Sequence, residues 1–168
     1  LVIDGATLSS GSLAISASRG IALGSAVGPG TGTINVTSGT VTYNGVMADN
    51  GIGGDQLIKT GPGILELGGV NTYSGGTLVN QGQIRISADS GLGTAPAVAT
   101  PGNITLVGGT LRVRESFELA ATRGIALGDP AGSGTGTIFV EELKTLTYNG
   151  VIADNGSGAD TLSSSTKI

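Results

Sequence analysis

The sequence predicts an all-β fold in which short parallel strands stack into a solenoid, a β-helix. Glycine supplies 32 of the 168 residues, yet 38% of the residues are hydrophobic and the mean hydropathy is +0.26. Disordered chains are poor in apolar residues and rich in charge, so this composition excludes disorder. Many short apolar runs, separated by glycine, favour β-strands joined by tight turns.

The apolar runs have the period of two that β-strands show. Leu65 and Leu67 flank Glu66, for example, and no stretch has a convincing helical period. The same alternation recurs at residues 84–86, 111–113, 117–119 and 125–127. Three such strands in each layer would take roughly 20–25 residues, which predicts roughly seven rungs spaced by about 4.8 Å.

A long internal repeat supports the solenoid. Residues 19–24 (RGIALG) recur as residues 123–128, 104 positions later, and residues 42–46 (TYNGV) recur as residues 147–151 with one residue inserted. We expect one β-helix segment over residues 1–168, with repeat copies at 5–57 and 108–162. Repeats with short slips at the turns are typical of solenoids, in which each layer contacts only its neighbours.

An antiparallel barrel or sandwich is the competing fold. Asn44-Gly45 and Asn149-Gly150 each lie between apolar runs, and Asn-Gly is a strong signal for a two-residue hairpin. The repeat favours the solenoid over this alternative.

Residues 57–93 carry a family resemblance. They fit the pattern K-x-G-x-G-x-L-x-L, then N-T-Y-x-G-G-T-x-V, then G-x-I-x-I, which resembles the passenger-associated transport repeat of autotransporters. The matching positions are Lys59, Gly61, Gly63, Leu65, Leu67, Asn71, Thr72, Tyr73, Gly75, Gly76, Thr77, Val79, Gly82, Ile84 and Ile86.

The resemblance implies a right-handed parallel β-helix, exported through a C-terminal outer-membrane barrel of its own parent chain. Its location would be the surface of a Gram-negative cell or the medium outside it. A second transport repeat is expected after residue 162 but is replaced by SSSTKI. We therefore expect the chain to be a fragment of a longer passenger.

Structural roles are predicted for most of these positions. Leu65, Leu67, Val79, Ile84 and Ile86 would face inward and stack on neighbouring rungs.

Polar and glycine positions of the repeat would form a corner. Asn71 would cap backbone groups, Gly75-Gly76 would allow the corner, and Tyr73 would act as a plug with its hydroxyl at the surface. A contact of Asn71 and Tyr73 with a glycan is the functional alternative.

No catalytic site is predicted. The chain has no His and no Cys, which removes the usual nucleophile–base pairs and the common zinc and copper ligand sets. Parallel β-helices also include polysaccharide lyases and glycosidases, so a carbohydrate-acting enzyme is the alternative. The adjacent pair Glu141-Glu142 would point to opposite faces of a strand, which suits a two-carboxylate mechanism poorly.

Two loops share the pattern D-N-G-x-G-x-D and are candidates for calcium. The first contains Asp49 and Asp55, and the second contains Asp154 and Asp160. Only two carboxylates are present in each loop and no Glu follows, so a polar turn between rungs is the preferred interpretation.

Charge and composition bound the partners. The net charge is −4, the pI is near 4.5, and the basic residues form no patch, so neither nucleic acid nor an anionic membrane is expected. No cofactor is predicted.

We expect a structural or adhesive stalk that binds a protein or glycan on a host or neighbouring cell. Its open strand edges would also permit end-to-end self-association.

Overall fold

The structure is a computed structural model that describes residues 1–132, 134–156 and 161–164. Over these residues the chain winds into a parallel β-solenoid of about six turns, with nearly no helix. The predicted parallel β-helix is therefore confirmed. The expected seven rungs correspond to seven strands stacked in each of two sheets, and six turns separate the first of these strands from the last.

The strands fall into three stacks, one for each side of the solenoid. Sheet I contains β1 (Val2–Ile3), β4 (Ile21–Leu23) and β7 (Met47–Asp49), and the pair β14 (Phe117–Leu119) and β17 (Leu146–Tyr148) continues this side. Sheet II contains β2 (Thr7–Ser10), β5 (Thr31–Val36), β8 (Gln56–Thr60), β10 (Thr77–Val79), β12 (Thr100–Leu106), β15 (Arg123–Leu127) and β18 (Ile152–Asp154). Sheet III contains β3 (Leu13–Ile15), β6 (Thr40–Tyr43), β9 (Ile64–Leu67), β11 (Gln83–Ile86), β13 (Thr110–Val113), β16 (Thr135–Val140) and β19 (Thr161–Ser164).

All strand pairs in the described part of the chain are parallel. Asn44-Gly45 accordingly forms no hairpin: β6 ends at Tyr43 in sheet III and β7 begins at Met47 in sheet I. The two-residue turn signal is used here to pass from one side of the solenoid to the next. The antiparallel alternative is therefore wrong for these strands.

The core is a set of columns that run along the solenoid axis. In sheet III the partners Leu65, Ile84 and Leu111 stack on one another, and Leu67 and Ile86 stack beside them. These five side chains are at most 1% exposed, and Val79 is fully buried. Burying each such side chain contributes roughly 1.5–3 kcal/mol, so stacked aliphatic columns replace a globular centre.

The middle of the sheet I side has no strand. Residues 68–76 and the 3₁₀ helix Asp89–Leu92 occupy this position on successive turns. The Thr72 amide donates to the Met47 carbonyl (2.7 Å), and the Asn71 amide donates to the Ser90 carbonyl (3.0 Å), so the stacking continues through irregular backbone. No helix in the described residues is long and apolar enough to cross a membrane.

Candidate functional site

The first candidate site is the loop between β7 and β8. Asp55 is fully buried, and its carboxylate accepts hydrogen bonds from the backbone amides of Ser25 (3.2 Å) and Asn50 (2.9 Å). The Asp49 carboxylate accepts bonds from the amides of Asp55 and Ser74, each at 3.0 Å, and from the Ser74 hydroxyl (2.7 Å). Two carboxylates thus hold three neighbouring turns together.

The carboxylate oxygens of Asp49 and Asp55 already accept hydrogen bonds from backbone amides. A bound cation would need the same oxygens as ligands. A calcium ion would have to displace these N–H and O–H donors or share their acceptors. Among the described residues, no group of three or more His, Cys, Asp or Glu side chains could hold a metal. The polar turn stays the prediction for this loop, and calcium binding at Asp49 and Asp55 stays the less favoured alternative.

The second copy of the loop repeats one hydrogen bond of the first. The Asn155 side chain donates to the Gly128 carbonyl at 3.0 Å, as the Asn50 side chain does to the Gly24 carbonyl. Asp154 ends β18, whereas Asp160 lies outside the described residues.

Lys59 holds a corner from within the solenoid. It occupies an inward position of β8, between Ile34 and Val79 of the neighbouring turns, and is fully buried. Its ammonium donates to the carbonyls of Thr60 (2.7 Å), Gly61 (2.7 Å) and Gln81 (3.2 Å). Burial lowers the pKa of Lys59 to about 8. The match to the transport repeat identified Lys59, but the sequence did not predict that its side chain bridges two turns.

Asn71 performs the capping role that its position predicted. Its side-chain oxygen accepts a bond from the Met47 amide (2.9 Å), and its side-chain nitrogen donates to the Gly91 carbonyl (2.8 Å). The residue is 3% exposed. One buried amide therefore joins the turn below to the turn above.

The prediction for the Tyr73 hydroxyl was wrong. Tyr73 is fully buried, and its hydroxyl lies 2.7 Å from the Thr77 hydroxyl inside the corner. Burial raises the pKa of Tyr73 above its ordinary value. Gly76, next to Thr77, has a φ of +86°, a conformation that glycine adopts at little steric cost, so the chain can turn tightly at this corner. With both side chains inside, a glycan contact by Asn71 and Tyr73 has no exposed surface.

The remaining positions of the repeat are also parts of the solenoid. Gly61 and Gly82 have positive φ at successive corners, and a side chain on Gly61 would meet Asn35 and Val36. A Cβ on Gly63 would stand 2.5 Å from the Val36 side chain, and one on Gly75 would stand 2.3 Å from the Gly54 carbonyl oxygen.

A buried arginine is the polar group that the sequence did not reveal. Arg123 is fully buried, and its guanidinium donates to both carboxylate oxygens of Asp89 (2.8 and 3.0 Å). Further bonds reach the carbonyls of Leu92 (3.1 Å) and Gly93 (2.7 Å) and the side chain of Asn103 (3.1 Å). The recurrence of Arg before Gly-Ile-Ala-Leu-Gly gave no signal of this burial, because the equivalent Arg19 is exposed and the partner Asp89 lies 34 residues from Arg123.

The outer face of sheet III carries the densest charge. Glu66 pairs with Arg85 (3.2 Å) and Arg114 (2.5 Å), while Arg112 pairs with Glu141 (3.0 Å). Arg112 also stacks on Phe139, 4.9 Å from the ring centroid. Both carboxylates are paired with arginines on the sheet surface, so they form no cluster of free carboxylates of the kind that glycoside hydrolysis uses.

A surface cavity lies away from these charged residues. It has a volume of about 280 Å³ and is bounded mainly by small and apolar residues within 99–102, 121–126 and 151–155. Asp154 is the one acidic residue among its lining residues. This cavity offers no pair of acids at which to cleave a sugar chain.

Comparison with known proteins agrees with the fold and the repeat. The family profile described as "Passenger-associated-transport-repeat" matches residues 57–86, which end with the last residue of β11. The chain is also 36% identical over 124 residues to the adhesin BmaC autotransporter of Brucella suis biovar 1 (strain 1330). That match covers 74% of this chain and 3% of the relative. No solved structure gives a significant match.

The chain therefore resembles an autotransporter passenger, as the residues of the transport repeat indicated. The relative is named an adhesin, and this chain spans about 3% of its length. Proteins of this class are exported across the outer membrane of Gram-negative cells, either to the surface or to the medium. The extension of the transport repeat from residue 87 to residue 93 stays a prediction.

Proposed function

We propose that this chain is a stalk segment of a surface-displayed adhesive passenger. One observation carries the proposal: the chain that matches an autotransporter adhesin is a continuous stack of parallel strands. The buried side chains of Lys59, Asn71 and Arg123 donate to carbonyl groups of neighbouring turns. A segment built in this way can support a binding region and can add adhesive surface of its own.

The parent chain would supply an outer-membrane barrel, and the ligand would be a protein or glycan on a host or neighbouring cell. Stacking would also aid folding outside the cell, because each turn that emerges finds a completed strand edge to pair with. A carbohydrate-acting enzyme is the alternative, and the paired charges of sheet III do not favour it.

Display on bacteria tests this proposal. The chain is fused to an outer-membrane barrel, and attachment of these cells to epithelial cells and to untransformed bacteria is compared with that of cells carrying the barrel alone. We expect a protease-resistant surface domain and more attachment. A resistant domain without added attachment to either cell type would overturn the adhesive part, and a protease-sensitive domain would overturn the stalk. Release of reducing ends from polysaccharides by the purified chain would support the enzyme instead.

A further inference from the structure

The two copies of the internal repeat lie on different sides of the solenoid. β4 in sheet I lies within the first RGIALG segment, residues 19–24, and β15 in sheet II lies within the second, residues 123–128. The next matching strands are β5 in sheet II and β16 in sheet III, followed by β6 in sheet III and β17 on the sheet I side. Each strand of the second copy is thus one side further around than its equivalent.

The strand register shows how many turns separate equivalent residues of the two copies. From Ile125, four steps across paired strands lead through Ile104, Thr77 and Leu57 to Gly32. The sequence equivalent of Ile125 is Ile21, which lies one strand before Gly32 in the chain. The repeat therefore spans four turns and one further side, about four and a third turns.

The corner that follows the tyrosine is nevertheless built in the same way in both copies. The Tyr43 hydroxyl donates to the carbonyls of Arg19 (2.5 Å) and Val46 (2.9 Å). The equivalent Tyr148 hydroxyl donates to the carbonyls of Arg123 and Val151. The repeat thus carries its own corners with it, and the rotation is a property of its length rather than a distortion of one copy.

We infer that successive repeats present their equivalent outer surfaces on successive sides of the rod. Any surface that the repeat carries would follow a spiral and return to the same side after three repeats, about 13 turns or roughly 60 Å. This inference concerns the geometry of display and holds whichever ligand the passenger binds.

The spiral arrangement determines whether one partner can contact two consecutive repeats. A rigid partner that lies along one side of the rod meets only one of two consecutive copies, so it gains no avidity from the second. A small or flexibly tethered partner, such as a glycan chain or a mobile receptor ectodomain, can occupy both copies. Consecutive repeats would therefore collect separate small ligands rather than one rigid ligand.

Pulsed EPR on double-cysteine variants tests the rotation, since the chain has no native cysteine. Thr33, Thr40 and Thr137 are half-buried positions that alternate with buried ones. Thr33 and Thr137 are repeat equivalents, on sheets II and III. Thr40 and Thr137 lie in one column of sheet III, four pairing steps apart.

We expect backbone positions 40 and 137 to be about 19 Å apart and the 33/137 pair to be separated by several ångströms more. The order of the two label distances decides the question. If the repeats were related by whole turns, positions 33 and 137 would share a column and give the shorter distance, and this result would overturn the inference.

A second set of variants repeats the comparison. Thr42→Cys with Thr147→Cys joins repeat equivalents, and Thr42→Cys with Phe139→Cys joins one column. The first pair should again give the longer distance, and the reverse order would contradict the inference. Circular dichroism of each labelled variant checks that the β-structure is retained.

Discussion

Lys59 shows how a single side chain can join two turns. Its ammonium donates to three carbonyl oxygens at the end of β8 and in the corners that follow β8 and β10. Buried carbonyl groups without donors are costly, and this explains why a charged residue occupies an inward position between aliphatic neighbours. Although its pKa is lowered to about 8, Lys59 remains mostly protonated at pH 7.

Lys59→Met is expected to lower the free energy of unfolding by about 1–3 kcal/mol, since the aliphatic stem stays but three acceptors lose their donor. Urea unfolding followed by circular dichroism measures this change. Lys144→Met is the matched control, because its ammonium pairs with Glu115 on the surface and should contribute less than about 1 kcal/mol. Equal losses in the two variants would refute the bridging role of Lys59.

The limits of sequence reasoning are also clear at single residues. The capping role of Asn71 could be predicted because its residue type and its position in a turn are both local. The burial of the Tyr73 hydroxyl could not be predicted, because it depends on how tightly the corner turns at Gly76 and on the contact with the Thr77 hydroxyl. The pairing of Arg123 with Asp89 depends on which turns become neighbours, and the sequence does not encode that locally.

At the scale of the strand, alternation was enough to predict which residues face inward. Leu65 and Leu67 are buried, and Glu66 between them forms two surface ion pairs. The order of the sides was harder to predict. Identical sequences at residues 19–24 and 123–128 lie on different sides, because the side depends on the summed length of all preceding turns.

Leu67→Asp should lower the free energy of unfolding by roughly 3–5 kcal/mol, because an unpaired carboxylate would enter a dry aliphatic column. Leu78→Asp is the matched control: Leu78 lies between buried Thr77 and Val79 on the outward side of β10 and is half-buried. We expect a loss of about 1 kcal/mol there. Equilibrium unfolding of both variants measures the difference, and an equal loss would mean that the assigned register is wrong.

For the whole molecule, the central feature is that residues far apart in sequence become neighbours along one axis. Thr110 and Thr137 are paired on adjacent turns of sheet III, while Thr40 lies in the same column four pairing steps from Thr137. A stack of this kind has two open edges, so end-to-end association remains a proposal for the isolated chain. Mixing a labelled variant with excess unlabelled chain distinguishes the two kinds of contact. A signal between labels in one molecule is unchanged by the dilution, whereas a signal between molecules decreases.

Pyrene excimer fluorescence tests the solenoid most directly. Thr110→Cys with Thr137→Cys places two pyrene labels about 5 Å apart at their backbones, and Thr40→Cys with Thr137→Cys places them about 19 Å apart. We predict strong excimer emission from the first variant and monomer emission from the second, both unchanged on dilution with unlabelled chain. Monomer emission alone from both variants, or equal excimer emission from both, would contradict the stacked parallel β-helix.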